Sequence, residues 1–219
     1  MSIAESIKTI RKELPSGVKL VAVSKFHPVE SIEEAMAAGQ TVFGENRPQE
    51  FEKKAQALQG KGIEWHFIGH LQTNKLKMVL PYADMVQSVD SGHLLDAVNE
   101  WGGKNGRVIP VLLELHVAAE ETKSGFYEEE ILDILFRAGS YKNVRFCGLM
   151  GMATNTDAEE DIRADFGRIK AFYDYLRDLF PELEDFRELS IGMSGDWRLA
   201  IDYGATMVRI GTAIFGERQ

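Results

Sequence analysis

Lys25 is the first residue whose position suggests chemistry, because it directly follows the apolar run VKLVAVS at residues 18–24. A lysine rooted in a packed strand can present its amine at the end of a sheet, where a depressed pKa would make it a nucleophile. Nearby cations would favour the neutral amine further. The same position also suits an ordinary solvated lysine at a strand end, so the assignment needs a second signal.

Two glycine-containing turns near the end of the sequence supply that signal. Ser194-Gly195 precedes a predicted short helix, and Gly211-Thr212 precedes the segment AIFG. Glycine lets the backbone approach an anion, hydroxyls donate hydrogen bonds, and a helix N-terminus leaves N–H groups unpaired. Either turn alone could simply lead the chain into a helix, whereas two turns side by side would hold a phosphate. Together with Lys25 they indicate a phosphorylated aldehyde held as a Schiff base, which means pyridoxal 5′-phosphate (PLP) before most alternatives.

Arg209 is the candidate for contact with the ring of such a cofactor. It lies two residues before Gly211, so both positions should face the same side of their strand. PLP sites place either an acid or an arginine opposite the ring nitrogen. An arginine keeps its charge, disfavours a protonated ring and makes the ring a poorer electron sink. A salt-bridged barrel arginine is the other interpretation.

Two histidines, His66 and His70, lie four positions apart on one predicted strand and could face the same side, as two metal ligands would. They would nevertheless lie at different depths, and the sequence shows no third ligand. Satisfied interior histidines, or one histidine in contact with a ligand, are therefore favoured over a metal site. Four further cationic side chains are predicted to lie on solvated helix faces: Lys53, Lys54, Lys75 and Lys77.

Eight short apolar runs must position these groups, and they alternate with amphipathic segments. Several runs are apolar on both faces, as in a parallel sheet covered by helices. The pattern predicts an α/β fold, a (β/α)₈ barrel with reactive groups at the carboxyl ends of its strands; a doubly wound open sheet is the competitor. The predicted strands are 18–24, 41–44, 63–69, 84–89, 107–116, 144–150, 187–193 and 206–211.

Helical periodicity predicts the remaining elements. The segment MSIAESIKTIRKELPSG indicates an additional N-terminal helix, and Ser31 is the predicted N-cap of the helix in SIEEAMAAG. The strongest amphipathic pattern covers residues 158–180. No linker or repeat divides the chain, so one domain over residues 1–219 is expected. The other predicted helices lie near 47–59, 73–81, 91–101, 127–139 and 196–203.

Composition excludes several classes of protein. The 219 residues carry 25 basic and 34 acidic side chains, a net charge of −9, which lacks the general basic character of a nucleic-acid-binding protein. The single cysteine, Cys147, excludes an internal disulfide framework and is expected to be a small buried apolar side chain. No apolar stretch is long enough for a membrane span, and the cytoplasm is the expected location.

Six runs distributed in order over the whole chain resemble those of the pyridoxal phosphate homeostasis proteins: LVAVSK, FGENRPQE, WHFIGHLQTNK, GLMGM, LSIGMSGDW and VRIGTAIFGER. The resemblance implies a fold similar to the N-terminal barrel of bacterial alanine racemase, with PLP at the barrel mouth. It makes Lys25 the Schiff-base residue and places Arg209 near the ring nitrogen. It places Ser194, Gly195, Gly211 and Thr212 on the phosphate, and the other residues that it implies for the mouth are Asn46, His66, Gly69, His70 and Met193.

The resemblance further implies a carrier that buffers PLP or delivers it to apo-enzymes, without established catalysis. Racemisation in this fold needs a second base, which alanine racemase takes from an additional domain of its partner subunit. Eight strands and their helices occupy all 219 residues here, so a monomeric carrier is expected. The alternatives are a PLP-dependent racemase or related enzyme, an interaction module switched by its cofactor, and a metal-dependent hydrolase.

Overall fold

All eight apolar runs form strands in the computed structural model, which describes residues 1–117 and 124–217. The strands are parallel and follow one another around a closed barrel, β8 pairing with β1. The predicted barrel is therefore confirmed, and the open sheet is wrong. The strands are β1 Lys19–Val23, β2 Val42–Glu45, β3 Glu64–Phe67, β4 Met85–Val89, β5 Ile109–Leu115, β6 Val144–Gly151, β7 Glu188–Ser190 and β8 Met207–Ile210.

The helices cover the outside of the barrel and lie close to their predicted positions. Two short 3₁₀ segments, Thr73–Lys75 and Ala138–Ser140, adjoin α4 and α6. The α-helices in the described part of the chain are α1 Ile3–Glu13, α2 Val29–Ala37, α3 Pro48–Ala57, α4 Leu76–Val79, α5 Gly92–Asn105, α6 Glu128–Phe136, α7 Glu159–Leu179, α8 Trp197–Asp202 and α9 Thr212–Phe215.

Helix α2 begins earlier than its predicted N-cap. Its first residue is Val29, and Pro28 precedes it in an extended conformation with φ −72°. The proline ring already fixes φ at a value that leads into a helix, so no side-chain cap is required there. Ser31 consequently lies inside the first turn, and its predicted capping role is wrong. In α1, by contrast, Ser2 and Glu5 form a reciprocal capping box.

Apolar side chains pack in two layers that the sheet separates. The larger layer lies between the strands and helices α1 to α9, and it includes Phe43, Phe51 and Phe166. The smaller layer fills the inside of the barrel with side chains that include Val21 and Met207. This interior layer is small because charged and polar groups share the inside of the barrel with it.

A bulge in β6 marks the tightest backbone packing. Val111 of β5 pairs with Phe146, but Leu112 pairs with Gly148, so β6 has one additional residue, Cys147. Gly148 has φ +147°, and a Cβ there would lie 1.8 Å from the carbonyl oxygen of Glu188 on β7. Only glycine fits this position. The Cys147 side chain is buried within the barrel, as expected, and burial raises the pKa of its thiol.

A helix needs about 20 predominantly apolar residues to cross a lipid bilayer. Across residues 1–117 and 124–217, no helix combines the length and the hydropathy that a membrane crossing requires. The longest, α7, carries charged residues throughout its exposed face.

Candidate functional site

Lys25 lies in the turn directly after β1, partly buried at the carboxyl end of the barrel. The hydroxyl of the preceding residue, Ser24, donates to Glu45 Oε1 at 2.6 Å. The N–H of the following residue, Phe26, donates to Glu50 Oε1 at 2.7 Å. Phe26 has φ +68°, a left-handed conformation that is rare for a bulky residue. Hydrogen bonds on both sides therefore fix the backbone from which the Lys25 side chain extends.

Lys54 on α3 connects these contacts. Its Nζ donates to the carbonyl oxygen of Ser24 at 2.8 Å and to Glu45 Oε1 and Glu50 Oε1 at 2.7 Å each. The residue is only 4% exposed. The prediction of a solvated Lys54 is wrong because three oxygen acceptors, two of them distant along the chain, replace water around the amine. The neighbouring Lys53 is exposed, as predicted.

Two buried oxygen atoms at the end of β2 lack hydrogen-bond partners within the described residues: Glu45 Oε2 and Asn46 Oδ1. Burial raises the pKa of the Glu45 carboxyl, and the charge of Lys54 opposes that shift. Gly69 after β3 packs against Asn46 so closely that a Cβ there would lie 2.2 Å from the Asn46 carbonyl oxygen. The loops after β2 and β3 therefore meet at Asn46, where an unused acceptor remains.

The two glycine turns predicted to hold an anion are in direct contact. The N–H of Gly211 donates to Ser194 Oγ at 3.2 Å. Gly211 is also the N-cap residue of α9, which has no side-chain cap, so the first-turn N–H groups beginning at Thr212 suit an anion. A Cβ at Gly195 would meet no atom within 4 Å, so this turn borders open space. The structure thus brings Ser194, Gly195, Gly211 and Thr212 together.

Met193 lies beside these turns, exposed to solvent. It lines a cleft of about 600 Å³ between the loop after β6 and the start of α8. Gly195 and Asp196 border the same cleft. The open space next to the glycine turns is therefore large enough for a small phosphorylated ligand.

Arg209 on β8 is 4% exposed and shares the inward face of its strand with Met207. Its Nη1 donates to the carbonyl oxygen and the hydroxyl of Ser190, both at 2.7 Å, and its Nη2 donates to the carbonyl oxygen of Gly151 at 2.9 Å. Burial lowers the pKa of this guanidinium to about 10, which keeps it charged at neutral pH. In the described part of the chain its acceptors are carbonyl and hydroxyl oxygens, which disfavours the salt-bridged interpretation.

The two histidines occupy different environments. His66 is fully buried inside the barrel, with Nε2 2.8 Å from Glu64 Oε1 and Nδ1 2.6 Å from Gln87 Nε2. It is a satisfied interior histidine, because both ring nitrogens have partners inside the barrel, and its implied contact with the ligand stays a prediction. His70 is exposed at the rim, with Nδ1 2.7 Å from Asp90 Oδ2.

Glu114 is a site residue that sequence analysis missed. It is buried near the end of β5, the strand opposite β1 in the barrel, and Ser124 Oγ donates to its Oε1 at 3.5 Å. Burial raises its pKa to about 7, helped by the charge of Asp90 and opposed by those of Arg209 and His70. Its only sequence signal is an acidic residue inside the apolar run RVIPVLLELH.

Metal ligation is another chemistry that histidine and carboxylate side chains could supply. Over residues 1–117 and 124–217, no group of three or more histidine, cysteine, aspartate or glutamate side chains could hold a metal ion. The barrel mouth instead presents one amine, one buried guanidinium and two glycine turns. These groups fit a phosphorylated aldehyde with an aromatic ring: an amine for the aldehyde, backbone donors for the phosphate and a cation for the ring.

Comparison with known proteins places this site in context. The alanine racemase N-terminal domain family matches residues 1–219. The pyridoxal phosphate homeostasis protein of Aquifex aeolicus is 40% identical over 201 residues, covering 92% of this chain and 87% of that protein. PipY of Synechococcus elongatus PCC7942, in its structure with PLP bound, is 36% identical, with 98% and 100% of the two chains covered and a TM-score of 0.90. Alanine racemase from E. faecalis shares the fold at 20% identity and a TM-score of 0.74, over 57% of its chain.

Replacing Lys54 by methionine should strongly destabilise the protein. The Lys54→Met variant keeps most of the side-chain volume but leaves Glu45 buried without its cation, which should lower the free energy of unfolding by about 3–5 kcal/mol. Urea denaturation measures the change. The matched control is Lys104→Met, which removes an exposed pair with Glu100 and should leave stability unchanged. Equal effects of the two substitutions would contradict the structural role of Lys54.

Glu114 should make stability depend on pH. Because the pKa of Glu114 is about 7 in the folded protein and lower when unfolded, its contribution is fully present below the unfolded pKa and is lost as pH rises through about 7. The Glu114→Gln variant should remove this loss and exceed the wild type by up to roughly 3 kcal/mol near pH 8.5. Urea denaturation over a pH series tests this, with the exposed Glu129→Gln as control. A pH-independent difference between Glu114→Gln and the wild type would count against the assignment.

Proposed function

This chain belongs to the family of pyridoxal phosphate homeostasis proteins, and we propose that it binds PLP at the mouth of its barrel and buffers the supply of the cofactor. Lys25 is the residue of covalent attachment, and the Ser194–Gly195 and Gly211–Thr212 turns hold the phosphate. The observation that carries the proposal is the position of Lys25: its backbone is held on both sides at the carboxyl end of β1, in the barrel whose last two strands end in the two glycine turns.

Each residue has a defined task in this proposal. When bound, PLP supplies an aldehyde that an uncharged amine can attack reversibly. Lys25 provides that amine from a fixed backbone. The first-turn N–H groups of α9 and the hydroxyl of Thr212 bind phosphate oxygens. Arg209 faces the ring nitrogen, and the orphaned Asn46 Oδ1 accepts a hydrogen bond at the mouth.

Arg209 favours storage over catalysis. A guanidinium that retains its charge at neutral pH cannot accept a proton, so next to the ring nitrogen it disfavours protonation of the ring. An unprotonated ring withdraws electrons weakly and stabilises a substrate carbanion poorly. Reversible attachment to a lysine does not require that property. The same residues therefore support capture and release of the cofactor more than transformation of an amino acid.

The proposal extends to the setting of the protein. Apo-enzymes that need the cofactor are the proposed recipients, and the protein acts as a monomer in the cytoplasm, with residues 1–219 as one PLP-binding domain. Nucleic acid is not a partner, because a net charge of −9 repels a phosphate backbone. His70 at the rim, paired with Asp90, and the exposed Met193 are the proposed ligand contacts at the outer edge of the mouth.

A racemase-like enzyme is the second candidate, and one observation favours it. Glu114 lies on β5, opposite β1 and Lys25 in the barrel, and its pKa of about 7 suits a group that exchanges protons at neutral pH. A second proton-transferring group on the face away from the lysine is what racemisation requires. Glu114 is, however, almost completely buried, which limits its access to a substrate.

The attachment site is tested by chemical reduction. Purified protein incubated with PLP and then reduced with borohydride should gain a single pyridoxyl group, located on Lys25 by peptide mass spectrometry. The Lys25→Ala variant should gain none, while Lys53→Ala, which removes an exposed lysine of α3, should label like the wild type. Label spread over several lysines, or an unlabelled wild type, would overturn the proposal.

Storage and catalysis are separated by proton exchange. The PLP-loaded protein in deuterated water should not exchange the α-proton of alanine or serine faster than free PLP does. Proton NMR of the amino acids measures the rate. Exchange that exceeds this rate and is lost in both Lys25→Ala and Glu114→Gln would establish the enzyme instead.

A further inference from the structure

A continuous row of hydrogen bonds crosses the inside of the barrel beneath Arg209. It runs from Arg209 on β8 through Ser190 on β7 and Gln87 on β4 to His66 and Glu64 on β3. The Ser190 hydroxyl donates to Gln87 Oε1 at 2.6 Å, and Gln87 Nε2 lies 2.6 Å from His66 Nδ1. The three middle residues are completely buried. Polar groups at such a depth are stable only when each of them is paired.

The direction of every hydrogen bond in this row follows from its two ends. A guanidinium can only donate, so Ser190 Oγ accepts from Arg209 and its own proton goes to Gln87 Oε1. The amide of Gln87 then presents Nε2–H to His66, whose Nδ1 must be the acceptor. His66 therefore carries its proton on Nε2 and donates it to Glu64 Oε1, 2.8 Å away.

Glu64 anchors the far end of the row. Its Oε1 also accepts from Lys19 Nζ at 2.7 Å, at the amino end of the barrel. The hydrogen bond from His66 is the largest cause that lowers the pKa of Glu64 to about 2, so this residue is a carboxylate at neutral pH. A fixed cation at one end and a fixed anion at the other thus align all the hydrogen bonds between them.

The opposite arrangement is unfavourable. If the Gln87 amide were turned over, its N–H groups would face Ser190 Oγ, which already accepts from Arg209, and the Ser190 proton would lose its acceptor. His66 would also need a proton on Nδ1. It would then either be a buried cation or face the Glu64 carboxylate with a bare nitrogen.

We propose that Glu64, His66, Gln87 and Ser190 are positioning residues for Arg209, which orient its guanidinium for an acceptor nitrogen in the ring of the ligand. The contacts to Ser190 and Gly151 use three of the five N–H hydrogens of Arg209, and the other two have no acceptor in the described part of the chain. This inference rests on the proposed function, since the acceptor is the PLP ring nitrogen. In this inference, the row holds Arg209 in the orientation in which the guanidinium keeps the ring nitrogen unprotonated.

The direction of the row is tested in the protein without PLP. Nitrogen-15 NMR of histidine-labelled wild type at neutral pH should show His66 with the proton on Nε2 and Nδ1 unprotonated. A His66→Phe variant assigns the signal among the five histidines. A proton on Nδ1, or on both nitrogens, would overturn the inference. This measurement needs neither ligand nor a destabilised variant.

The effect on Arg209 is tested with PLP labelled with nitrogen-15 in its ring. Gln87→Leu and Ser190→Ala should each weaken PLP binding about tenfold, and the ring nitrogen signal should move towards the protonated position. The matched control is Gln40→Leu, which removes another buried glutamine with three hydrogen bonds, to Leu20, Val42 and Arg11, outside the row. It should lose stability yet keep the wild-type ring signal.

The outcomes separate the two proposals. A wild type that fails to bind PLP would end the proposed function, while the His66 signal would still decide the direction of the row. A wild type that binds PLP, with Gln87→Leu and Ser190→Ala indistinguishable from Gln40→Leu in affinity and ring signal, would overturn the positioning role alone.

Discussion

One ammonium group, Lys54 Nζ, holds the candidate site together. It joins α3 to the ends of β1 and β2 through three oxygen atoms, and these contacts hold the backbone on either side of Lys25. A buried ion pair adds little net stability over an apolar pair, but the loss of one partner is costly. The value of this arrangement is therefore geometric. It keeps a left-handed residue, Phe26, in place and directs the neighbouring lysine from a rigid base.

Polar groups serve the proposed ligand in two separate places, at the mouth of the barrel and inside it. At the mouth, the glycine turns after β7 and β8 offer backbone donors, and the loops after β2 and β3 meet around Asn46. Inside, a row of paired polar groups occupies space that apolar side chains fill elsewhere, and it ends on Arg209. In the proposed function, the mouth holds the phosphorylated ring and the interior sets which protonation state of that ring is favoured. Storage of the cofactor is the role that we propose on the basis of the second feature.

The fold could be predicted from the sequence because strands of a parallel barrel tend to be apolar on both faces, and several of the eight runs show this. The positions of Lys25 and the glycine turns could be predicted for a related reason, since these residues directly follow the apolar runs. The burial of Lys54 and Glu114 could not be predicted, because burial of a charge depends on partners that lie far along the chain. The helical pattern of α3 predicts a solvated position for Lys54. No nearby residue in the sequence indicates that Ser24 and Glu45 lie beside it in the fold. Pro28 likewise displaced the predicted cap at Ser31.

The pairing of β8 with β1 closes the barrel, and it also sets when the site comes into existence. A ribosome delivers Lys25 long before it delivers the Gly211–Thr212 turn. A nascent chain therefore carries the amine long before it carries both glycine turns. At that stage nothing distinguishes Lys25 from the other lysines of the chain. In the proposed function, selective capture of a reactive aldehyde therefore begins only once β8 has paired with β1.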